Sequence, residues 1–131
     1  MAREAFVLVV DDDPVILSLV ATALEGAGYR VTTATDAAQA VVQAQGMKVG
    51  LIISDIMMPG GGTGVDAARH LRSLPWVSPL LPIIFMTGLP MDKARALIPG
   101  NDPHIRLISK PLDFAVLRSA IRELTGVDRP L

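Results

Sequence analysis

Residues 5–14 read AFVLVVDDDP, an apolar run that meets three consecutive aspartates and a proline. The run has no polar alternation, which is typical of a β-strand that is covered on both of its faces. Asp13 is a good N-cap and Pro14 suits the first position of a helix, so a helix is predicted to begin directly after the strand. A buried strand followed at once by a helix is the repeating unit of an α/β protein.

The same alternation of strand and helix recurs along the rest of the chain. Further segments at residues 29–33, 49–54, 83–86 and 106–109 are predicted strands, and each is followed by a segment that is predicted to be a helix. We therefore expect an α/β fold with a doubly wound, five-stranded parallel sheet and helices on both faces. The strand order is predicted to be 2-1-3-4-5, which is flavodoxin-like. Residues 1–126 are expected to form this domain, and residues 127–131 a tail or the start of a linker.

The composition limits the functions that this chain can have. Its 131 residues suffice for one domain, and 12 basic against 13 acidic side chains argue against a broad nucleic-acid-binding surface. The absence of cysteine excludes disulfides and thiolate metal sites. The longest apolar runs are too short to span a bilayer. We expect a cytoplasmic protein that binds neither nucleic acid nor a membrane through this domain.

Polar side chains directly follow four of the five predicted strands. Asp11 and Asp12 follow the first strand, Asp55 the third, Thr87 the fourth and Lys110 the fifth. In open α/β sheets, ligands bind beyond the carboxyl ends of the strands, so these side chains should converge at one edge. Three carboxylates brought together repel one another unless a cation lies among them. These aspartates provide only oxygen ligands, and neither His nor Cys is among the converging residues. Mg²⁺ is therefore the ion that we expect.

A metal ion held in this way leaves coordination positions for phosphate oxygens. Phosphoryl transfer passes through a loose transition state, so the reaction needs positioning and positive charge more than a strong base. Mg²⁺ and Lys110 would supply that charge, and Asp55 would be the nucleophile because a carboxylate can become an aspartyl phosphate. The Thr87 hydroxyl could donate a hydrogen bond to a phosphoryl oxygen. The residues themselves thus predict a Mg²⁺-dependent phosphoryl-transfer site.

Four short motifs, each at the end of a predicted strand, resemble those of the receiver domain of two-component response regulators. They are VVDD at residues 9–12, LIISDIMMP at 51–59 with Gly64 behind it, FMTG at 85–88 and SKP at 109–111. Each motif by itself is weak evidence, but the four occur in the family's order and at its usual separations, over essentially the whole chain. The resemblance implies a signalling domain that is itself phosphorylated and turns over no separate substrate.

The resemblance also implies which residues handle the phosphoryl group. Asp55 would be the phosphoacceptor, Thr87 the switch hydroxyl and Lys110 the partner of the phosphoryl oxygens. The Mg²⁺ ion would be held by oxygen ligands, namely Asp12, Asp55 and the backbone carbonyl of Met57, with Asp11 acting through water. A cis peptide bond is usual in the family before the residue that is Pro111 here, and proline permits it at low cost.

The partners that the resemblance implies are proteins. The phosphoryl donor would be a sensor histidine kinase or a histidine phosphotransfer protein. The signal would pass to a downstream protein or to an output domain beyond residue 131. The face made by the fourth helix, the fifth strand and the fifth helix is the expected readout surface and a candidate homodimer interface.

The sequence departs from the family pattern in two places. Leu107 stands three positions before the lysine, where the family commonly has an aromatic residue whose rotamer reports phosphorylation. A leucine offers neither the hydroxyl nor the ring of that residue. The glycine-rich loop at residues 60–63 is longer than common versions.

A different class of function would use the same aspartates in another way. In haloacid-dehalogenase-like phosphohydrolases, two aspartates separated by one residue act as nucleophile and general acid, which here would be Asp11 and Asp13. Against this alternative, Asp13 before Pro14 is expected to be a helix cap, and such enzymes usually carry more chain. A third alternative is a degenerate receiver that serves only as a protein-binding module.

Overall fold

The computed structural model describes residues 5–57 and 63–131 of the chain. Within these residues, five strands and five helices alternate, as the sequence predicts. The strands are β1 (Phe6–Val10), β2 (Arg30–Ala34), β3 (Val49–Asp55), β4 (Ile83–Thr87) and β5 (Ile105–Ser109). The helices are α1 (Pro14–Gly26), α2 (Ala37–Ala44), α3 (Gly64–Ser73), α4 (Met91–Arg95) and α5 (Phe114–Thr125). The predicted strand bounds differ from these by no more than a single residue at either end.

The five strands form one parallel sheet in the order β2-β1-β3-β4-β5, which confirms the predicted flavodoxin-like topology. The chain passes from β1 outward to β2 and then returns to the other side of β1, where β3 pairs with it. The direction in which the sheet is built therefore reverses between β1 and β3. At such a point the connections leave the sheet on opposite faces, which opens a crevice at the carboxyl ends of the two strands.

Two apolar cores lie on opposite faces of the sheet, which confirms that helices cover both faces. One core contains buried residues of α2, α3 and α4, packed against alternate strand residues such as Ile52 and Phe85. The other contains buried residues of α1 and α5, packed against the strand residues in between, such as Ile53 and Met86. Because both faces are covered, the central strands β3 and β4 are nearly fully buried, as their continuous apolar sequences predict.

Aspartates cap the helices at the positions that the sequence predicts. Asp13 Oδ1 accepts a hydrogen bond of 2.9 Å from the Val15 N–H, and Pro14 occupies the first helical position. Asp36 and Asp113 cap α2 and α5 in the same way. Each cap satisfies an N–H group that has no partner within its helix and is worth about 1 kcal/mol. The expectation that Asp13 is a helix cap is therefore confirmed.

Residues 127–131 fold back onto the domain. Helix α5 ends at Gly126, whose positive φ of 76° turns the chain. Val127 and Leu131 are half-buried against the core beside α1 and α5. The Arg129 guanidinium lies 4.8 Å from the centroid of the Tyr29 ring, which is a cation–π contact. The division of the chain at residue 126 stays a prediction.

Two expectations from the sequence concern membrane-spanning helices and the glycine-rich loop. Among the helices of residues 5–57 and 63–131, none combines the length and the apolar character that crossing a membrane requires. The glycine-rich loop singled out from the sequence lies outside the described residues, apart from Thr63 at its end.

Candidate functional site

The residues predicted to form the site lie at the carboxyl edge of the sheet. Asp11 and Asp12 directly follow β1, Asp55 and Thr87 are the last residues of β3 and β4, and Lys110 directly follows β5. Asp11 is fully buried, whereas Asp55 and Thr87 are exposed by 8% and 1% and Asp12 is exposed. Because β1 and β3 are neighbours, the three aspartates meet. One carboxylate oxygen from each lies within 4.8 Å of the others, and we call this group the carboxylate cluster.

Lys110 reaches the carboxylate cluster from the end of β5. Its Nζ atom lies 2.9 Å from Asp11 Oδ2 and 3.3 Å from Asp55 Oδ2, so the ammonium group pairs with both carboxylates. The Lys110 N–H donates a 2.7 Å hydrogen bond to the Thr87 carbonyl, and the peptide bond before Pro111 is cis, as the resemblance implies. The charged side chains that the sequence predicts to converge therefore do so.

Asp11 is the fully buried member of the carboxylate cluster. Its Oδ1 atom accepts a 2.9 Å hydrogen bond from the Asp13 N–H. Its Oδ2 atom accepts no aligned hydrogen bond from the described residues, and its contact with Lys110 is an ion pair. A buried carboxylate oxygen that depends on one ion pair is costly unless further positive charge comes close. Asp11 therefore marks this edge of the sheet as a place for a cation.

The surroundings of Asp55 and Lys110 shift the pKa of both groups. Burial is the largest influence on the Asp55 carboxyl and raises its pKa above the usual range. The Lys110 charge lowers this pKa and the Asp11 charge raises it, so the net shift is upward. Burial lowers the pKa of Lys110, but the close contacts with Asp11 and Asp55 and the charges of both carboxylates together outweigh this effect, so the pKa of Lys110 is raised. Lys110 therefore stays protonated, whereas ionised Asp55 would be favoured by more positive charge than Lys110 supplies.

The three aspartates fit a Mg²⁺ ion. They offer only oxygen atoms, and three carboxylates face one ammonium group. Ligands of Mg²⁺ lie about 2.1 Å from the ion, so two ligands on opposite sides of it are about 4.2 Å apart. The oxygens here span up to 4.8 Å, so small side-chain rotations would bring them into coordination. Within residues 5–57 and 63–131, no other group of acidic or histidine side chains is arranged in this way.

Met57 has its backbone beside the Asp55 carboxylate. The Met57 backbone N–H lowers the pKa of that carboxylate, which counters part of the upward shift. The Met57 side chain is half exposed, and its backbone pairs with Thr63 in an isolated antiparallel bridge. Met57 is thus at the site, while the coordination of Mg²⁺ by its carbonyl stays a prediction.

Thr87 lies next to the site with its hydroxyl engaged locally. Asp55 pairs with Met86 across β3 and β4, so Thr87 is one residue further along β4. Its Oγ1 atom accepts a 2.9 Å hydrogen bond from the Leu89 N–H, and the side chain is buried. This contact uses a lone pair and leaves the hydroxyl proton for another acceptor. Thr87 therefore keeps the donor that its predicted switch role requires.

Leu107 occupies the position where an aromatic residue is common in the resembled family. It lies opposite Phe85 in the pairing of β4 and β5 and is half-buried against the core on the face of α2, α3 and α4. The side chain at this position therefore serves as core packing, and the site has no ring there.

Two further residues hold the Asp55 backbone, and the sequence patterns do not reveal their roles. The Ser54 hydroxyl is buried and donates a 2.9 Å hydrogen bond to the Asp55 carbonyl. A Cβ atom at Gly64 would lie 1.9 Å from the same carbonyl oxygen, so glycine is required for this approach of α3. A serine inside the apolar run of β3 is the signal that could have pointed to Ser54. The role of Gly64 depends on the packing of a distant helix.

The structure does not support the phosphohydrolase alternative. That hypothesis needs Asp11 and Asp13 to act together at one catalytic centre. The Asp13 side chain is exposed and caps α1 through the Val15 N–H. Among the described residues, Asp55 and not Asp13 joins Asp11 and Asp12 in the carboxylate cluster.

Known proteins share the sequence pattern of this chain over nearly its whole length. Residues 7–122 match the family model of the response regulator receiver domain. The probable transcriptional regulatory protein TcrX of Mycobacterium tuberculosis is 34% identical over 126 residues, which cover 92% of this chain and 51% of that protein. The gliding motility regulatory protein of Myxococcus xanthus is 35% identical, with 95% of this chain and 16% of that protein covered. The chain thus spans about half of the first relative and about a sixth of the second.

Solved structures share the fold. The chemotaxis protein CheY4 of Vibrio cholerae superposes with a TM-score of 0.81 at 28% identity, with 92% of this chain and 98% of that chain covered. A response regulator receiver protein from Pseudomonas putida superposes with a TM-score of 0.77 at 26% identity, with 94% and 99% covered. Nearly the whole of each of these chains is therefore matched.

Proposed function

The chain belongs to the response regulator receiver domain family, and we propose that it is a switch controlled by phosphorylation of Asp55. The phosphoryl group comes from a sensor histidine kinase or a histidine phosphotransfer protein, in a reaction that depends on Mg²⁺. The observation that carries the proposal is the position of the Lys110 ammonium group, 3.3 Å from Asp55 and 2.9 Å from Asp11. A nucleophile, a place for a cation and a fixed positive charge then meet at one point.

In the proposed reaction, Asp55 attacks the phosphorus atom of a phosphohistidine. One Asp55 carboxylate oxygen forms a bond to phosphorus as the bond between phosphorus and the donor imidazole nitrogen breaks. The bonding electrons stay on that nitrogen, and the imidazole leaves neutral when its other nitrogen carries a proton. The products are an aspartyl phosphate and a free histidine, so no further reactant is consumed. Lys110 balances the negative charge of the phosphoryl oxygens.

The proposed Mg²⁺ ligands are Asp12, Asp55 and the Met57 carbonyl, with Asp11 acting through water. When it is bound, Mg²⁺ supplies positive charge to the phosphoryl oxygens. Asp11 has a second task, because its 2.9 Å ion pair holds the Lys110 ammonium group next to Asp55. The carboxylate cluster thus serves both the metal ion and the lysine.

Phosphorylation is proposed to shift an equilibrium between two conformations. Lys110 and the Thr87 hydroxyl then bind phosphoryl oxygens. Leu89 donates to that hydroxyl and lies just before α4, so a movement of Thr87 passes to α4. The readout surface made by α4, β5 and α5 contacts the downstream partner or a second copy of the chain. Because Leu107 is aliphatic, Thr87 carries the switch without an aromatic partner.

An exposed apolar groove beside the site suits the phosphoryl donor. The groove runs along α1 and reaches the start of α5; it is lined by Pro14, Val15, Ser18, Leu19, Thr22, Ala23 and Phe114. Val15 and Leu19, which are exposed by 73% and 53%, lie four residues apart on α1 and so form a contiguous apolar patch. Because Pro14 directly follows the three aspartates, a protein seated in this groove would bring its phosphohistidine close to Asp55. We therefore place the donor contact there.

The role of the whole protein is part of the proposal. Phosphorylated receiver domains are signalling domains, and this one is proposed to control a separate downstream protein or an output domain. No turnover of a separate substrate is expected. The cytoplasmic location and the lack of nucleic-acid contact by this domain stay predictions from the composition.

Labelling by a small acyl phosphate in the presence of Mg²⁺ tests the phosphoacceptor. We expect a label that is stable to acid and labile to base, that EDTA abolishes and that added Mg²⁺ restores. Asp55→Asn should abolish the label, whereas Asp13→Asn, a matched change at a carboxylate outside the cluster, should not. Labelling that survives Asp55→Asn and disappears with Asp11→Asn would contradict the proposal and favour the phosphohydrolase hypothesis.

Lys110→Ala separates the role of the lysine from that of the metal ligands. The variant keeps every proposed oxygen ligand and loses a competing positive charge, so it should bind Mg²⁺ at least as well as the unchanged protein. It should respond poorly to phosphorylation, because the phosphoryl oxygens lose their cationic partner. Calorimetric titration with Mg²⁺ and amide chemical shifts before and after phosphorylation measure the two properties. Loss of Mg²⁺ binding would contradict the role assigned to Lys110.

A further inference from the structure

Ser54 is a buried polar residue at a position where the fold otherwise places apolar ones. Ile52, two residues earlier in β3, and Ile56, directly after β3, belong to the apolar core on the face of α2, α3 and α4. The Ser54 side chain is 2% exposed, and its hydroxyl donates a 2.9 Å hydrogen bond to the Asp55 carbonyl. Burying a hydroxyl has a desolvation cost that alanine or valine would not have. A residue that breaks the pattern of its own strand indicates a functional constraint.

The Asp55 carbonyl accepts a hydrogen bond from the Ser54 hydroxyl because, among the described residues, no strand residue pairs with Asp55 on the β1 side of β3. In the described register, β1 pairs with β3 as far as Val10, which lies opposite Ser54, and no residue of β1 lies opposite Asp55. On the other side of β3, the Ile56 N–H donates a 3.2 Å hydrogen bond to the Met86 carbonyl. The peptide group between Asp55 and Ile56 is thus held by β4 through its N–H and by the Ser54 hydroxyl through its carbonyl.

Helix α3 closes against the same peptide group. The Gly64 N–H donates a 2.7 Å hydrogen bond to the Ile56 carbonyl, which belongs to the next peptide group along the chain. The position of a Cβ atom at Gly64 is 1.9 Å from the Asp55 carbonyl oxygen and 2.8 Å from Ser54 Oγ. Gly64 therefore has no room for a side chain, and α3 lies directly against the Asp55 carbonyl and the Ser54 hydroxyl.

The orientation of this peptide group affects the Asp55 carboxylate through the next residue. Met57 follows Ile56, and its backbone N–H is close enough to the Asp55 carboxylate to lower the pKa of that carboxylate. A rotation of the peptide group after Asp55 would move the Met57 N–H and change the direction in which the carboxylate faces Lys110. The Ser54 hydroxyl opposes that rotation, because it holds the carbonyl of that peptide group.

We infer that Ser54 is a positioning residue for phosphoryl transfer to Asp55. The inference rests on the proposed function, in which Asp55 is the phosphoacceptor. The Ser54 hydroxyl touches neither the phosphoryl group nor the metal ion; it holds the peptide group that sets the direction of the nucleophile. Misplacing a reacting group by about 1 Å can cost a factor on the order of 100 in rate. Because β4 and α3 still hold the peptide group, loss of the hydroxyl should cost about tenfold.

Ser54→Ala, compared with Ile52→Val, tests the inference. Both changes shorten a buried side chain on the same face of β3, but Ile52 lies two residues before Ser54 and away from the carboxyl edge. Phosphorylation by an acyl phosphate is followed at saturating Mg²⁺ as a function of donor concentration, and urea unfolding checks that both variants fold. Ser54→Ala should lower the maximal rate about tenfold and leave the donor concentration for half-maximal rate unchanged. Equal maximal rates for the two variants would overturn the inference.

If Ser54→Ala does not fold, the isosteric pair Ser54→Thr and Ser54→Val tests the role of the hydroxyl instead. The two side chains have the same shape, and threonine keeps the hydroxyl that valine lacks. The threonine variant should be phosphorylated about tenfold faster than the valine variant, and equal rates would overturn the positioning role. The two proposals fail in different ways. An unchanged protein that takes no label contradicts the phosphoacceptor proposal, whereas normal labelling of the variants without the hydroxyl contradicts only the role of Ser54.

Discussion

Adding one methyl group at Gly64 should force α3 away from the end of β3. A Cβ atom there would lie 1.9 Å from the Asp55 carbonyl oxygen and 2.8 Å from Ser54 Oγ, whereas ordinary contacts of a Cβ atom are 3.4 Å or longer. The start of α3 would have to retreat by about 1.5 Å to reach an ordinary contact with that oxygen. Because the oxygen belongs to the backbone, no change of side-chain rotamer relieves the clash. Gly64→Ala should therefore strain the backbone that carries Asp55.

The cost of this change follows from the contacts that it disturbs. Overpacking of a close-packed interior costs about 1–3 kcal/mol. The 2.7 Å hydrogen bond from the Gly64 N–H to the Ile56 carbonyl would lengthen, and a lost hydrogen bond costs about 0.5–1.5 kcal/mol. Alanine is favoured over glycine in helices, which offsets this loss of stability by up to about 1 kcal/mol. The free energy of unfolding should thus fall by about 0.5–4.5 kcal/mol, with about 2.5 kcal/mol at the centre of this range.

Urea unfolding followed by the fluorescence of Trp76 measures this loss. Trp76 is the single tryptophan of the chain, and its indole N–H donates to the Ala44 carbonyl at the end of α2, so its environment changes on unfolding. With a urea m-value of about 2 kcal/mol/M, the midpoint of Gly64→Ala should fall by about 1–1.5 M at the centre of this range. Gly26→Ala is the matched control, because Gly26 ends α1 and nothing lies within 4 Å of an added Cβ. An unchanged midpoint for Gly64→Ala would refute the contact between α3 and Asp55.

Two further substitutions test the electrostatics of the fold. Without Mg²⁺, Asp55→Asn should raise the free energy of unfolding at neutral pH, because burial raises the pKa of Asp55 and its ionised form opposes folding. The gain should shrink as the pH falls from the folded-state pKa to the unfolded value of about 3.9, and lower stability of the variant at neutral pH would refute this reasoning. Arg72→Ala should cost about 2–4 kcal/mol in urea unfolding, since the largely buried guanidinium lies 2.6 Å from Asp102 and donates to a backbone carbonyl. Burial by itself would raise the pKa of Asp102, but the hydrogen bonds from Arg72 and from the His104 N–H, together with the Arg72 charge, outweigh it and lower the pKa. The difference should therefore persist at neutral pH and diminish below about pH 4, and a difference that is independent of pH would contradict the pairing.

The positions of the site residues could be predicted because the information for them is local. Asp11, Asp55, Thr87 and Lys110 each stand at the end of a short apolar run, and such runs predict buried strands. Parallel strands end at the same edge of a sheet, so the strand order is enough to bring these residues together. No individual side-chain contact had to be known.

The features that the sequence could not reveal depend on contacts between distant segments. The sequence does not show whether Gly64 is needed for a loop or for the start of a helix. Its approach to the Asp55 carbonyl exists only once α3 packs on β3. Strand β3 extends one residue beyond its apolar run because Asp55 pairs with Met86 across the sheet. The contact of Arg129 with Tyr29 joins the end of the chain to the start of β2. Pairing and packing decided these features, and periodicity carries no information about them.

In the proposed site, the backbone at the end of β3 sets the orientation of the Asp55 nucleophile. The carboxylates around it set the affinity for Mg²⁺. The Ser54 hydroxyl and the Met86 carbonyl hold the peptide that follows Asp55 and α3 packs against it, whereas Asp12 is exposed at the rim. Asp12→Asn should therefore raise the Mg²⁺ concentration needed for half-maximal phosphorylation and leave the rate at saturating Mg²⁺ nearly unchanged. Ser54→Ala should do the reverse, because it moves the nucleophile and removes no ligand. If both substitutions changed the same quantity, the metal ion and not β3 would be what orients Asp55.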